Sequence, residues 1–499
     1  MRVLLIHPPL REHYPPMNFP FGIAYVAQYL KKAGHDIRIL DIHTNQYSRK
    51  KVLEMLDELK KFNPEVIGTG GIITVYKYLK WLIPNLRQRF AKAKIIVGGS
   101  LATSAPGDTL KNLGVDFIVI GEGEITAPEL VNYLEKHRKP KAEEMKRIKG
   151  IGFKQASKII ITEPRELIKD LNTIDFPPWQ LFPMHKLIKS MNNYMDLITE
   201  RGCPFRCNFC YHQFGYISRR RSMENVVKEM KLLNKKYGIR KFSISDNLFV
   251  YNKNEVLKLI ELLKKNNLKI KFDTSMRASL VTEELIKLLK AAGCIGLSFG
   301  FESGSQKVLN LMNKRTTVEQ MDNAIRIMNK YKMPWFGSFI IGYPGETKKD
   351  IDQTIAFCTR NGIIAKPFFA TPYPGTPLYA AVKDKIKDMN KFIESLGDAR
   401  DLVINISDFS NEELMKQRRR VTEETEKAYL KKHRVLGLIF SPLKLLNIEV
   451  GFVVHEFLTT PFFPFLKKSF TIGFNYLRGR FLVPITDDGY DKTKNLLDV

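Results

Sequence analysis

Short apolar runs recur along the first 135 residues, each followed by an amphipathic stretch of helical period. The runs are "VLLIHPP", "DIRILD", "EVIGTGG", "KIIVGGS" and "DFIVIG", and segments such as "GIAYVAQYLKKAG" and "RKKVLEMLDELKKF" lie between them. Parallel strands buried on both faces give near-continuous apolar runs, with crossover helices between them. Residues 1–135 are therefore predicted to form a doubly wound parallel sheet. Glycines fall at the carboxyl ends of its later strands: Gly70–Gly71, Gly98–Gly99, and Gly121 with Gly123. Open α/β sheets bind ligands at that edge. The same glycines would also suit tight strand-to-helix turns.

The pattern changes over residues 136–190. "KHRKPKAEEMKRIK" reads as a charged linker, "GFKQASKIIITEPREL" as a small hairpin, and "DFPPWQLFP" as a strap whose prolines bar regular helix. Over 191–400 the alternation resumes with "YMDLIT", "RKFSISD", "KIKFDTS", "IGLSFGF", "WFGSFIIG" and "AKPFFAT". Six β/α units predict a partial (β/α)6 barrel rather than the closed eight-unit form. Residues 401–499 begin as helix ("SNEELMKQRRRVTEETEKAYLKKH") and then turn aromatic and basic. The predicted class is α/β, with a helical C-terminal region.

Composition adds limits. A chain of 499 residues exceeds what one core sustains, and 44% apolar with 26% charged residues describes an ordinary globular protein. Five cysteines, three of them clustered, suit a reducing compartment rather than a disulfide framework. "MRVLLIHPPL" lacks the pattern of a signal peptide, so a cytoplasmic location is expected. A net charge of +28 calls for an anionic partner, either nucleic acid or a membrane face. No uncharged apolar stretch reaches the roughly 18 residues of a spanning helix. In the tail, Lys444, Lys467, Lys468, Arg478 and Arg480 are interleaved with large apolar side chains. That suits peripheral contact with a membrane interface, or a greasy lid over the barrel mouth admitting a hydrophobic or lipid-like substrate.

"ERGCPFRCNFCYH" carries Cys203, Cys207 and Cys210 directly after a predicted strand. Structural zinc wants four ligands, usually as two separated pairs. Here only His212 stands near as a fourth, and Cys294 and Cys358 read as small buried hydrophobes. Three thiolates on one loop suit a four-iron cluster in which one iron lacks a protein ligand, since complete ligation takes four cysteines. The carboxyl end of a barrel strand is also where such folds do chemistry.

Cys203-x3-Cys207-x2-Cys210, with Phe209 before the last cysteine, resembles the signature of the radical S-adenosylmethionine (SAM) superfamily. The resemblance implies a 4Fe-4S cluster on these three cysteines. Its open iron would chelate SAM, and one electron would release a 5′-deoxyadenosyl radical. It also implies SAM contacts at strand ends: Ser245, Asp246 and Asn247 for the amino group, and Arg277 for the carboxylate or a substrate anion. Glu302 and Ser303 would meet the ribose and methionyl groups, with Ile341, Gly342 and Pro344 beside the adenine. Any one of these residues alone would equally suit a helix cap or a salt bridge.

"FPFGIAYVAQYLKKAGHDIRILD" and "GGSLATSAPGDTLKNLGVDFIVIGEGEITAPELVNYL" resemble the cobalamin-binding domain that precedes many such enzymes. The strap and "TPYPGTPLY" are also familiar in that subgroup. The resemblance implies cobalamin cradled by backbone at Gly99–Ser100 and Gly121–Glu122–Gly123. "DIHTNQ" departs from Asp-x-His-x-x-Gly, and it follows the second strand rather than the first. His43 is therefore read as a polar loop residue, leaving no histidine below the cobalt.

With both cofactors, the expected reaction is methylation of an unactivated carbon in a hydrophobic substrate. The reductant would be of the ferredoxin or flavodoxin kind. Radical cyclisation or carbon–carbon bond formation on an isoprenoid, lipid or porphyrin-like substrate is the alternative. A non-catalytic iron–sulfur redox or nucleic-acid-binding module also remains open. A tRNA methylthiotransferase resembles this barrel but carries three further cysteines in its first domain, and residues 1–135 contain none. Nucleic acid is therefore not the expected partner.

Overall fold

The computed structural model describes residues 1–433 apart from 13–15, 17, 138, 247 and 250–252. Asn247 and the basic tail residues Lys444, Lys467, Lys468, Arg478 and Arg480 lie outside the described residues.

The five apolar runs of the first region form β1 (Arg2–His7), β2 (Asp36–Asp41), β3 (Val66–Gly70), β4 (Lys94–Gly98) and β5 (Phe117–Val119). They pair in parallel in the order β2-β1-β3-β4-β5. The hairpin read within the linker, β6 (Ile151–Gln155) and β7 (Lys158–Ile161), extends this same sheet antiparallel to β5. Helices Phe21–Lys32 and Gly123–Lys136 pack on one face, with Arg49–Glu58 and Tyr76–Arg89 on the other. The helix Gly123–Lys136 buries Ala127, Leu130, Val131 and Leu134, the i, i+3, i+4, i+7 stripe of an amphipathic helix.

The second region opens with β8 (Tyr194–Leu197). A short antiparallel ribbon follows, β9 (Glu200–Arg201) with β10 (Arg219–Arg220). Then come β11 (Lys241–Ile244), β12 (Lys271–Ser275), β13 (Cys294–Glu302), β14 (Trp335–Ile341) and β15 (Phe368–Phe369). Excluding the ribbon, these strands form a six-stranded parallel sheet in the spatial order β15-β14-β13-β12-β11-β8, the open half-barrel that the alternation predicts. The strap cannot continue as helix, and it instead delivers Trp179 and Phe182 to the core. Their rings lie 4.4 and 5.0 Å from that of Phe19 of the first region. The last described helix, Asn411–Lys432, packs on the helix Lys348–Asn361. Among the described residues no helix is long and apolar enough to cross a membrane.

Candidate active site

The ribbon β9–β10 is the stem from which the cysteine loop projects beyond the carboxyl end of β8. Asp246, just past β11, fixes the entry to this stem. Its Oδ1 accepts the backbone N–H of Thr199 (2.7 Å) and of Glu200 (3.2 Å), while Oδ2 accepts the Thr199 hydroxyl. Glu200 in turn accepts from the Ser218 hydroxyl at 2.8 Å and from the Leu248 N–H at 2.8 Å. Burial pushes the carboxyls of Asp246 and Glu200 up, to about 6 and about 8, and the nearness of Asp246 adds to the shift of Glu200. Ser245 is exposed at the strand end and donates to Asp196 at 3.2 Å.

Cys207 is buried, Cys203 and Cys210 are partly so, and all three are free thiols. Burial, together with the neighbouring thiols of Cys207 and Cys203, pushes Cys210 up to about 11. Three thiolates on one loop are stabilised by cationic charge beside them, which a metal cluster supplies. Among the described residues no three His, Cys, Asp or Glu side chains converge as they would around one metal ion. The all-sulfur donor set of Cys203, Cys207 and Cys210 fits an iron–sulfur cluster.

The other strand ends surround this loop. Arg277, after β12, lies over the Phe205 ring at 3.7 Å and brings Nη1 to 3.7 Å from Cys207 Sγ. It donates to the Thr316 hydroxyl at 2.9 Å and to the Lys314 carbonyl. Glu302, the last residue of β13, is buried in the left-handed region at φ 66°. For a residue with a Cβ this conformation is costly and persists where the surroundings impose it. The constraint here is Lys314, whose Nζ donates to Glu302 Oε1 at 2.8 Å. Lys314 also sits 5.7 Å from the Phe209 ring, so one buried cation links the cysteine loop to the end of β13. Gly300 makes room for the pair, since a Cβ there would come within 2.1 Å of Glu302 Oε1. Gly300→Ala is expected to push the carboxylate off Lys314 and destabilise the fold by about 1–3 kcal/mol, the usual cost of overpacking; a thermal or urea unfolding curve measures this.

Ser303 is fully buried, with its hydroxyl 3.1 Å from that of Thr354. It anchors the strand end to the helix Lys348–Asn361. Ile341 is buried, Pro344 is partly so, and the Gly342 N–H donates to Glu346 at 2.6 Å. Phe209 packs on the cluster of Val308, Met312, Tyr343 and Leu378.

At the edge of the first sheet the backbones of two strand ends meet without side chains. Gly99 has φ 81°, and a Cβ there would lie 2.7 Å from the Gly71 carbonyl oxygen. Ser100 donates to Gln213 of the cysteine loop at 3.0 Å. Gly121 donates its N–H to Thr103 at 3.0 Å and has open space on its Cβ side. Gly123 begins the helix Gly123–Lys136. Between this edge and the cysteine loop lies a cavity of about 380 Å³. Ile73, Ser100 and Ser104 line it from the sheet side, and Tyr211 and Tyr373 from the barrel side. Gly71, Gly99 and Gly121 leave the sheet edge free of side chains, which fits a large planar group approaching from above.

One residue sits differently from its sequence reading. His43 is not an open loop residue: it lies in the one-turn helix Ile42–Asn45, buried at the wall of the cavity. Asp41 caps that turn by accepting the Thr44 N–H at 2.9 Å, and His7 meets the imidazole edge-on at 5.4 Å. Burial, together with His7, holds His43 down to about 4, so the ring is neutral. Glu122 offers its backbone to the sheet edge, but its carboxylate is turned toward the barrel. It pairs there with Arg201 at 2.8 Å and Arg219 at 3.0 Å, and accepts the Ile168 N–H at 2.6 Å. Burial opposes ionisation of Glu122, yet the two guanidiniums outweigh it and hold the carboxyl below its ordinary range. Arg201 also pairs with Glu124. Lys314, Arg201 and Arg219 were not among the residues singled out from the sequence; only the "ER" ahead of the first cysteine hinted at Arg201.

Residues 197–358 match the radical SAM superfamily, and residues 11–131 match the B12 binding domain. An uncharacterized methyltransferase of Pyrococcus horikoshii is 32% identical over 404 residues, covering 78% of this chain and 85% of the relative. The anaerobic magnesium-protoporphyrin IX monomethyl ester cyclase of Cereibacter sphaeroides is 28% identical over 79% of this chain and 66% of its own length. Among solved structures, the radical SAM methyltransferase TsrM from Kitasatospora setae, bound to tryptophan and a SAM analogue, superposes with a TM-score of 0.65. It is 17% identical, over 78% of this chain and 77% of that one. The likeness to TsrM is one of fold.

Proposed function

Because the chain belongs to the radical SAM superfamily and carries its B12-binding domain, we propose that it methylates an unactivated carbon of a hydrophobic substrate. What carries this reading is the cavity: the edge of the first sheet and the cysteine loop face one another across it, joined by Ser100 and Gln213. When bound, the cluster supplies the electron that cleaves SAM, and cobalamin supplies a carrier for the methyl group.

The chain's own residues bind, orient and exclude water. Cys203, Cys207 and Cys210 would hold the cluster, and the buried Asp246 keeps its loop in register through Thr199 and Glu200. Arg277, Lys314 and Glu302 place two cations and an anion around the loop, a set that suits the carboxylate and ammonium of a zwitterionic amino acid. Ser245 would face the same group. Ile341, Gly342 and Pro344 form an apolar strand end suited to a purine. Gly99, Ser100, Gly121, Glu122 and Gly123 would meet the corrin through backbone. Tyr211 and Tyr373 line the side opposite the sheet.

The experiment uses anaerobically purified enzyme, SAM with a deuterated methyl group, a chemical reductant and an apolar extract as acceptor source. Methyl transfer yields S-adenosylhomocysteine alongside 5′-deoxyadenosine, with the label in an extractable product. Ring formation, the reading supported by similarity to the cyclase, yields 5′-deoxyadenosine without the homocysteine product. Absence of both products would overturn the two readings together.

We further infer that the basic, aromatic segment beyond Lys432 touches an anionic lipid surface. Each basic residue near such a surface contributes about 1 kcal/mol. Truncation after Lys432 is expected to weaken binding to anionic vesicles at low salt by tenfold or more; unchanged sedimentation with vesicles would refute it.

A further inference from the structure

The mechanism does not use the outer surface of the cysteine loop, yet it has a definite chemical character. Tyr216 and Ile217, at the far end of the loop, are 38% and 73% exposed, and Leu311 on the adjoining barrel segment is 40% exposed. They give this surface an apolar component. Two cations accompany them. Arg206, next to Cys207, is exposed and lies over the Tyr216 ring at 4.8 Å. Arg315, also exposed, donates to the Asn313 side chain at 3.3 Å.

Two side chains tie the cysteine loop to the barrel segment that carries Leu311 and Arg315. Asn313 donates to the Arg206 carbonyl at 2.7 Å, and Asn208 donates to the Leu311 carbonyl at 2.9 Å. Aromatic, apolar and arginine side chains are the types enriched where proteins meet. Cys207 lies one residue beneath the patch.

We propose that this surface docks the electron donor: an acidic protein carrying a one-electron cofactor at its own surface. The inference rests on the reading that Cys203, Cys207 and Cys210 hold the iron–sulfur cluster. In the step it serves, one electron leaves the carrier's reduced cofactor and enters the oxidised cluster, and no bond forms or breaks between the proteins. Such encounters are brief and bury little area, so a patch of this size suffices. Their rate is set by charge complementarity and falls with salt. Arg206 and Arg315, on a chain of net charge +28, supply the positive partner.

The test follows reduction of the reconstituted cluster by flavodoxin hydroquinone, a strongly acidic carrier, using rapid-freeze electron paramagnetic resonance. Dithionite, a small reductant that needs no docking, is the control. For the unaltered protein the flavodoxin rate should fall steeply as salt is added. The pair Arg206→Glu with Arg315→Glu should slow it by about tenfold or more at low salt and flatten the salt dependence. Iron content and the dithionite rate should stay unchanged. A flavodoxin rate equal to that of the unaltered protein, at low salt, would overturn the docking surface while leaving the cluster reading intact. Should the double variant lose iron, Arg315→Glu alone carries the same test with the same two outcomes. An unaltered protein that holds no iron would instead remove the cluster reading, and the docking surface with it.

Discussion

Cys207→Ala is expected to abolish the brown chromophore, reduce bound iron from about four per chain to near none, and eliminate every SAM-derived product. Cys207 is the most buried of the three thiols and the one facing Arg277. Removing it leaves two partly exposed sulfurs, which cannot close a cluster that already leaves one iron without a protein ligand. The substitution deletes a single sulfur from a loop braced elsewhere by the Asn208 and Asn313 side chains. Near-ultraviolet circular dichroism should therefore remain that of the folded protein. Full iron and normal turnover in the variant would sink the assignment.

The second large effect is on stability. Glu122→Ala is expected to cost about 3–5 kcal/mol, because it leaves Arg219 buried without a carboxylate and Arg201 with Glu124 alone. The loss should appear as a lower midpoint in urea. Because the pairs join the first sheet to the stem of the cysteine loop, the change should also broaden the transition as the two regions uncouple. A shift smaller than about 1 kcal/mol would mean that water replaces the carboxylate at little cost. The backbone at Gly121–Gly123 is untouched by this substitution, so the stability effect and any effect on cobalamin binding can be measured separately.

The strands were legible because burial on both faces leaves a plain mark on the sequence: "KIIVGGS" and "WFGSFIIG" could hardly be anything else. The cysteine loop was legible because ligand spacing is local. What stayed hidden is pairing between segments far apart in the chain. Nothing near Glu122 reveals that its carboxylate turns to Arg201 and Arg219, 79 and 97 positions away. Nothing beside Lys314 in the sequence marks it as buried, and only the fold shows it paired with Glu302. The hairpin Ile151–Ile161 was recognised as a hairpin, but an edge-strand addition is decided by the open N–H and C=O groups of β5 and not by the hairpin's own residues.

Asp196 shows how the two regions depend on each other in time. Its buried carboxylate accepts the Phe19 N–H at 2.6 Å, across 177 positions of sequence. At a synthesis rate of about 5–20 residues per second, a ribosome needs roughly 9 to 35 s to travel from one residue to the other. During that interval β1 to β7 can emerge and pair, but the segment around Phe19 has neither Asp196 nor the strap's Trp179 to receive it. The nascent first region therefore carries an unfinished, aromatic flank until β8 leaves the exit tunnel.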